Sequence, residues 1–153
     1  MGFSTAAAQT ILFIAVIILS TGLVMVYKNV VDTTASSLQF QGNLLSDKVK
    51  TDITITNVYY NNNTDTIVID VKNLGKTKLD LDLIDVFIDS ERIPRQTSNR
   101  TIEVLSDTEI VNPGIWDPKE DIEIKVFKTL NQSISHTVKV TTQYGISDID
   151  SFS

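Results

Sequence analysis

Asp80, Asp82, Asp85 and Asp89 form the densest run of oxygen donors in this 153-residue chain. Hard cations such as Ca²⁺ are held by such carboxylates, but a calcium loop gathers them in a turn with a glycine at its sharp bend. Here Asp80 and Asp82 alternate with Leu79, Leu81 and Leu83, the pattern of a strand with one solvated face. No metal site is expected. The single histidine, His136, stands between Ser135 and Thr137, and a Ser–His–Asp set can be drawn around it. No nucleophile-elbow or oxyanion-loop motif accompanies it. The six glycines are scattered and make no phosphate loop, and there is no cysteine. An exposed or capping histidine is the expectation, with no catalytic residue and no cofactor.

Recognition chemistry is better represented. Trp116 lies in Gly114-Ile115-Trp116-Asp117-Pro118, an apolar pair among turn residues. Trp116 either plugs one end of the domain or, with Ile115, anchors a protein partner, since tryptophan is enriched at interface hot spots. Three N-glycosylation sequons start at Asn62, Asn99 and Asn131, each in or beside an expected loop.

These residues hang on two different kinds of structure. The first 27 residues carry no charged side chain. As a helix, Ala6 to Tyr27 spans roughly 33 Å, enough to cross a hydrocarbon core. A cleaved signal peptide has a basic start and a shorter apolar core, so residues 1–28 are read as a retained membrane-spanning helix. Ala8, Ala15 and Gly22 recur every seven residues and form a small-residue stripe suited to packing against another helix. Hydroxyl and small residues are also tolerated in such helices for their own sake, because Ser and Thr bond the carbonyl four residues back. Residues 29–50 read as a partly helical stalk, with Gly42 expected to end the helix.

From residue 51 the apolar period changes to two. Ile53 and Ile55, with Asn57, mark one strand face, and Ile67, Ile69 and Val71 mark the next strand, around the loop 61–65. Asn73-Leu74-Gly75-Lys76 reads as a turn in which Gly75 takes a positive φ. A strand over 78–83 then changes phase at Ile84, as a β-bulge would make it. Residues 89–92 read as a turn, and Pro113-Gly114 and Asp117-Pro118 as breaks. Further strands are expected near 101–105, 121–127 and 136–143. About seven short strands imply an antiparallel β-sandwich of immunoglobulin-like type over residues 51–153. Only Lys28 of the 13 basic residues precedes residue 29, leaving 12 against 19 acidic ones. So acidic a domain is repelled by nucleic acid and by anionic lipid.

The order of these features resembles a known family. Met1-Gly2-Phe3-Ser4 runs into the uncharged helix. Ile53–Asn57 follows, then Ile67-Val68-Ile69-Asp70-Val71-Lys72-Asn73-Leu74-Gly75, the strand 83–89, and Trp116-Asp117-Pro118-Lys119-Glu120 before another strand. This resembles the FlaF (ArlF) accessory proteins of the archaeal motility filament, the archaellum, in the archaellin-like superfamily. The resemblance implies a single-pass protein of the cell membrane with its sandwich outside, between membrane and surface layer (S-layer). It implies a stator subunit that anchors the motor by binding S-layer protein. It also implies contact with archaellum motor components, partnership with a FlaG-like sister subunit and self-association of the soluble domain. Nothing basic precedes Gly2, so the leader cleavage of archaellins is not expected. A pilin- or archaellin-like filament or filament-cap subunit is the alternative. An extracytoplasmic sensor or ligand-binding domain is a second.

Overall fold

A computed structural model describes residues 2–105, 112, 114–131 and 134–153. Pro113 of the expected Pro113-Gly114 break and Gln132 and Ser133 of the third sequon lie outside the described residues. The chain forms two compact units, residues 1–43 and 44–153.

The first unit is helical throughout its described part, belonging to helix α1 (Gly2–Lys50). This helix is long and apolar enough to cross a membrane. Its hydroxyls bond inward: Thr10, Ser20 and Thr21 donate to the carbonyls of Ala6, Val16 and Ile17 at 3.0, 2.7 and 2.8 Å. Thr33, Ser36 and Ser37 do the same, at 2.8, 2.8 and 2.9 Å. That pairing explains why the hydroxyl-rich stretch stays helical. The helix does not end at Gly42. A glycine costs a helix interior only about 1 kcal/mol, and the stop comes at Lys50, where the sheet supplies partners for the chain.

The second unit opens with the last helical turns, Leu44–Lys50, and continues as antiparallel β-sheet. The strands are β1 (Ile53–Asn61), β2 (Thr66–Asn73), β3 (Leu79–Asp80), β4 (Asp85–Ile88), β5 (Glu91–Ile93), β6 (Arg100–Val104), β7 (Ile115–Trp116), β8 (Asp121–Phe127), β9 (His136–Thr141) and β10 (Ser147–Phe152). One sheet has the order β1-β2-β8-β6 and the other β10-β9-β4-β5, with β3 and β7 as a separate pair. Inward residues of both large sheets, among them Ile67, Ile69, Ile124, Val86, Ile88 and Val138, join in one core. This is an all-β domain after a membrane-type helix, as expected.

Several local expectations change. A bulge between Ile55 and Asn57 shifts the β1 register, so Val58 and Tyr60, not Asn57, continue the inward set. The phase change after Leu83 comes from a 3₁₀ turn, Leu81–Leu83, capped by the Asp80 carboxylate on the Asp82 amide at 2.9 Å, and not from a bulge. Residues 91–93 form β5 in place of a turn. Asp89 (φ 51°) and Ser90 (φ 70°) alone make the hairpin bend between paired Ile88 and Glu91. Strands β7 and β10 are additional to the expected set.

Candidate functional site

Within the β-domain unit, the junction between the last helical turn and the sheets is held by several backbone and side-chain hydrogen bonds. Lys50 ends the helix, and the turn after β2 closes on it. The Lys76 amide donates to the Lys50 carbonyl at 2.8 Å, and the Leu74 and Gly75 amides both donate to the Asp52 carbonyl at 2.9 Å. The Asp47 carbonyl accepts from the Thr51 and Thr77 hydroxyls at 2.7 and 3.3 Å. Leu44, Leu45 and Lys48 share a recess with Gln143 and Tyr144. These bonds satisfy carbonyls that a helix end leaves open.

Gly75 is required here for closeness. A Cβ at this position would stand 2.6 Å from the Lys50 carbonyl oxygen and from the Asp52 nitrogen. Its φ lies outside the left-handed region, unlike Gly114 and Gly145, so the expected positive φ is replaced by a steric requirement.

Behind the turn lies a buried polar clasp. The Asn73 side-chain amide donates to the carbonyls of Thr77 (3.0 Å), Trp116 (3.4 Å) and Asp117 (3.3 Å), and its oxygen accepts from the Gly75 amide at 3.0 Å. The Trp116 indole donates to the Glu120 carbonyl at 2.9 Å, and the Glu120 carboxylate accepts from the Asp117 amide at 2.8 Å. Asn73, Trp116 and Glu120 are each fully buried. Lys78 pairs with Asp117 at 2.8 Å. Asn73 and Asp117 stood out in the sequence as turn residues, and Glu120 only as the end of the family-like stretch Trp116–Glu120. The Asn-x-Gly and Asp-Pro-x-Glu spacings were the signals available.

A model of the family described as archaeal-type flagellin matches residues 2–152. The chain belongs to this family. No curated protein matches it. Among solved structures it is similar to the archaellum periplasmic stator protein FlaG from Sulfolobus acidocaldarius, at 16% identity and TM-score 0.54, covering 67% of this chain and 99% of that one. It is also similar to a chain of the archaellum periplasmic stator protein complex FlaF and FlaG from the same organism, at 17% identity and TM-score 0.52, over 65% of this chain and 87% of that chain. At such identities the likeness is one of fold.

Within this archaeal-type flagellin chain, the residues singled out from sequence are dispersed. Trp116 is buried and cannot serve as a surface anchor, whereas the neighbouring Ile115 is 40% exposed. Ala8, Ala15 and Gly22 are exposed along the helix, and Ala8 borders an apolar recess with Leu12, Phe13 and Val16. Asn62 is exposed after β1, Asn99 is half-buried ahead of β6, and Asn131 is exposed between β8 and β9.

The four aspartates serve separate bonds. Asp80 caps the 3₁₀ turn, and Asp82 donates its amide to that cap. Asp85 pairs with Arg92 at 2.6 Å and Arg95 at 3.1 Å. Burial pushes the Asp85 carboxyl up, but the two guanidinium groups more than reverse this and leave it below its ordinary value. Asp89 accepts from the Thr137 amide at 2.9 Å and pairs with His136 at 2.6 Å.

His136 is buried, so of the expected exposed or capping ring the exposed form does not occur. Its Nδ1 meets Asp89 Oδ2 at 2.6 Å and its Nε2 meets the Asn131 carbonyl at 2.9 Å. The Asp89 carboxylate and the Asn131 carbonyl are both acceptors, so the doubly protonated ring can donate to both. The Asp89 bond and then the Asn131 carbonyl raise its pKa above the usual histidine value. Such a ring staples the β4–β5 hairpin to the segment before β9.

Proposed function

We propose that this chain is an accessory, stator-type subunit of the archaellum. Its helix crosses the cell membrane once. Its β-domain lies outside, between membrane and S-layer, where it binds S-layer protein, pairs with a FlaG-like sister subunit and with further copies of itself, and contacts the motor. The role is non-enzymatic and needs no cofactor. The observation that carries this reading is the likeness of 67% of this chain to the periplasmic stator protein FlaG over 99% of that chain, in a chain of the archaeal-type flagellin family. The sheet orders β1-β2-β8-β6 and β10-β9-β4-β5 support an immunoglobulin-type sandwich, being the A-B-E-D and G-F-C-C′ arrangement of that architecture. The clasped helix end within the β-domain unit suits a tether, because load there meets backbone hydrogen bonds to Lys50 and Asp52.

The test is co-sedimentation of the full chain, reconstituted in nanodiscs, with isolated S-layer sheets. Saturable binding is expected, and an unfolded control should not bind. Absence of binding by a folded preparation would overturn the anchor reading. The second reading is a filament subunit, favoured by the match to archaeal-type flagellin along residues 2–152. Polymerisation of the full chain, abolished by Ala15→Leu or Gly22→Leu in the small-residue stripe, would establish it instead.

A further inference from the structure

The two large sheets turn unlike outer faces to solvent. In the sheet β10-β9-β4-β5, Ile149, Lys139, Phe87 and Arg92 stand in one row across the four strands. They alternate with the core residues Val86, Ile88, Val138 and Val140, so they point outward. Ile149 is 59% exposed. Phe87, Lys139 and Ile149 wall a recess of about 210 Å³ together with Ser90 and Thr137, room for one aromatic side chain. Lys139 Nζ lies 5.9 Å from the centre of the Phe87 ring. Arg92, Arg95 and Lys139 oppose Asp85 on this face, and Asp89 at the hairpin bend is paired with His136. The face is therefore basic, in a chain of net charge −6. In the sheet β1-β2-β8-β6 the sign is reversed. Asp70, Glu123 and Glu103 are directly opposed on β2, β8 and β6. Like charges so placed destabilise a sheet. The Asn57 amide on Asp70 at 3.1 Å and Lys125 on Glu123 at 2.6 Å compensate only in part. Tyr59, one row further along, is 44% exposed.

We infer that these two faces dock on each other in successive copies of this chain. Tyr59 of one copy enters the recess between Phe87 and Ile149 of the next, where its ring meets apolar walls and its phenol the Ser90 and Thr137 hydroxyls. The carboxylate row then faces Arg92, Arg95 and Lys139, so charges that repel within one chain find counter-charges on its neighbour. Such a contact is heterologous: each copy offers a different face on either side, and copies join as a row instead of closing as a two-fold dimer. This rests on the self-association within the proposed function and names its surfaces. S-layer binding can fail while it holds, and the reverse.

The chain has no cysteine, so introduced thiols report the contact directly. Full-length Asn57→Cys, on the acidic face, and full-length Ser151→Cys, beside the recess, are reconstituted together in liposomes and treated with a bismaleimide. The mixture should give cross-linked dimer at about tenfold or more above either chain alone. Tyr59→Ala or Glu103→Lys added to the Asn57→Cys chain should lower that yield about tenfold, and so should Lys139→Glu added to the Ser151→Cys chain. Lys139→Glu placed in the Asn57→Cys chain instead should leave the yield unchanged, because that chain contributes its other face. The near-ultraviolet signal of Trp116 confirms that each variant is folded. No dimer in the mixture, as much dimer from either chain alone, or equal loss from Lys139→Glu in whichever chain carries it would each overturn the proposal.

Discussion

Gly75→Ala isolates the claim that the helix junction is set by contact. The added methyl would lie 2.6 Å from the Lys50 carbonyl oxygen, 2.6 Å from the Asp52 nitrogen and 3.1 Å from the Thr51 Cα. All three are backbone atoms, so none can swing aside as the tip of a long side chain would. Forcing an extra methyl into a packed site costs about 1–3 kcal/mol, and a rigid backbone wall places this case at the upper end, about 3 kcal/mol. For a domain of this size that corresponds to a loss of roughly 12 °C in Tm. The assay is thermal unfolding followed by near-ultraviolet circular dichroism of the buried Trp116. Hydrogen exchange at the Leu74, Gly75 and Lys76 amides reports the junction itself and should accelerate. Gly145→Ala is the comparison. Gly145 has φ +76° but nothing within 4 Å of the added atom, so only the left-handed strain of about 1 kcal/mol applies. A third change, Gly42→Ala, has open space inside a helix and should stabilise that segment by about 1 kcal/mol while leaving the β-domain transition alone. If Gly75→Ala costs no more than Gly145→Ala, and junction exchange does not change, the steric account is wrong.

Trp116→Phe removes the indole donor from the Glu120 carbonyl while keeping most of the packing, and should cost about 1–3 kcal/mol in chemical denaturation. A cost near zero would show that water replaces the indole. Asp148→Ala removes the carboxylate that accepts from the Ile55 amide at 2.8 Å and the Thr54 hydroxyl at 3.3 Å beside the β1 bulge. It should speed exchange of the Ile55 amide and cost about 1.5–3 kcal/mol as a charge-assisted bond, with unchanged exchange as the contrary result. His136 should titrate by NMR with a midpoint above its ordinary value of 6.5, owing first to Asp89 and then to the Asn131 carbonyl. A raised folded pKa means that its contribution to stability is complete below the unfolded value and is lost as pH rises through the folded one. Asp89 is lowered by the Thr137 amide and then by His136, so its contribution is present above its ordinary 3.8 and is lost as pH falls through the folded value. The staple is therefore strongest between those limits, and a His136 midpoint at or below 6.5 would contradict it.

The uncharged helix and the alternation of Ile67, Ile69 and Val71 were legible because burial imposes one simple pattern on each. Strand β8 was legible to the residue, since Ile122, Ile124 and Val126 face the core between charged neighbours. Strand β10 was not: it places Asp148 and Asp150 where a hydrophobic alternation would carry apolar residues, leaving only Phe152 buried. Asp148 is there to satisfy β1 across the open side of the sandwich, a contact 93 residues away in sequence that no local window contains. Gly42 misled for the opposite reason. A local stop signal was outweighed because the true terminus is determined by Lys76 and the Asp52 contacts, which exist only after β2 folds back. Arg100 carried no local signal of burial, and it is held by the Ile84 carbonyl, in the step between the 3₁₀ turn and β4, 16 residues away.

The clasp also decides what kind of rigidity the β-domain possesses. Burying Asn73 and the Glu120 carboxylate costs desolvation that well-packed apolar side chains would avoid, so their presence is weak evidence for added stability. Their effect is on geometry. Asn73 bonds Thr77, Trp116 and Asp117 together, and a shift of the turn would leave several buried polar groups unpaired at once. A slipped apolar contact loses little until it separates, whereas a slipped polar network loses whole bonds in a low-dielectric interior. The junction should consequently resist small displacements strongly and fail in one step. Asn73→Leu is then expected to blur the junction more than it lowers Tm. Exchange at Gly75 and Lys76 would rise sharply while the unfolding midpoint moves by only a few degrees. A large Tm loss with unchanged junction exchange would instead assign Asn73 an ordinary core role.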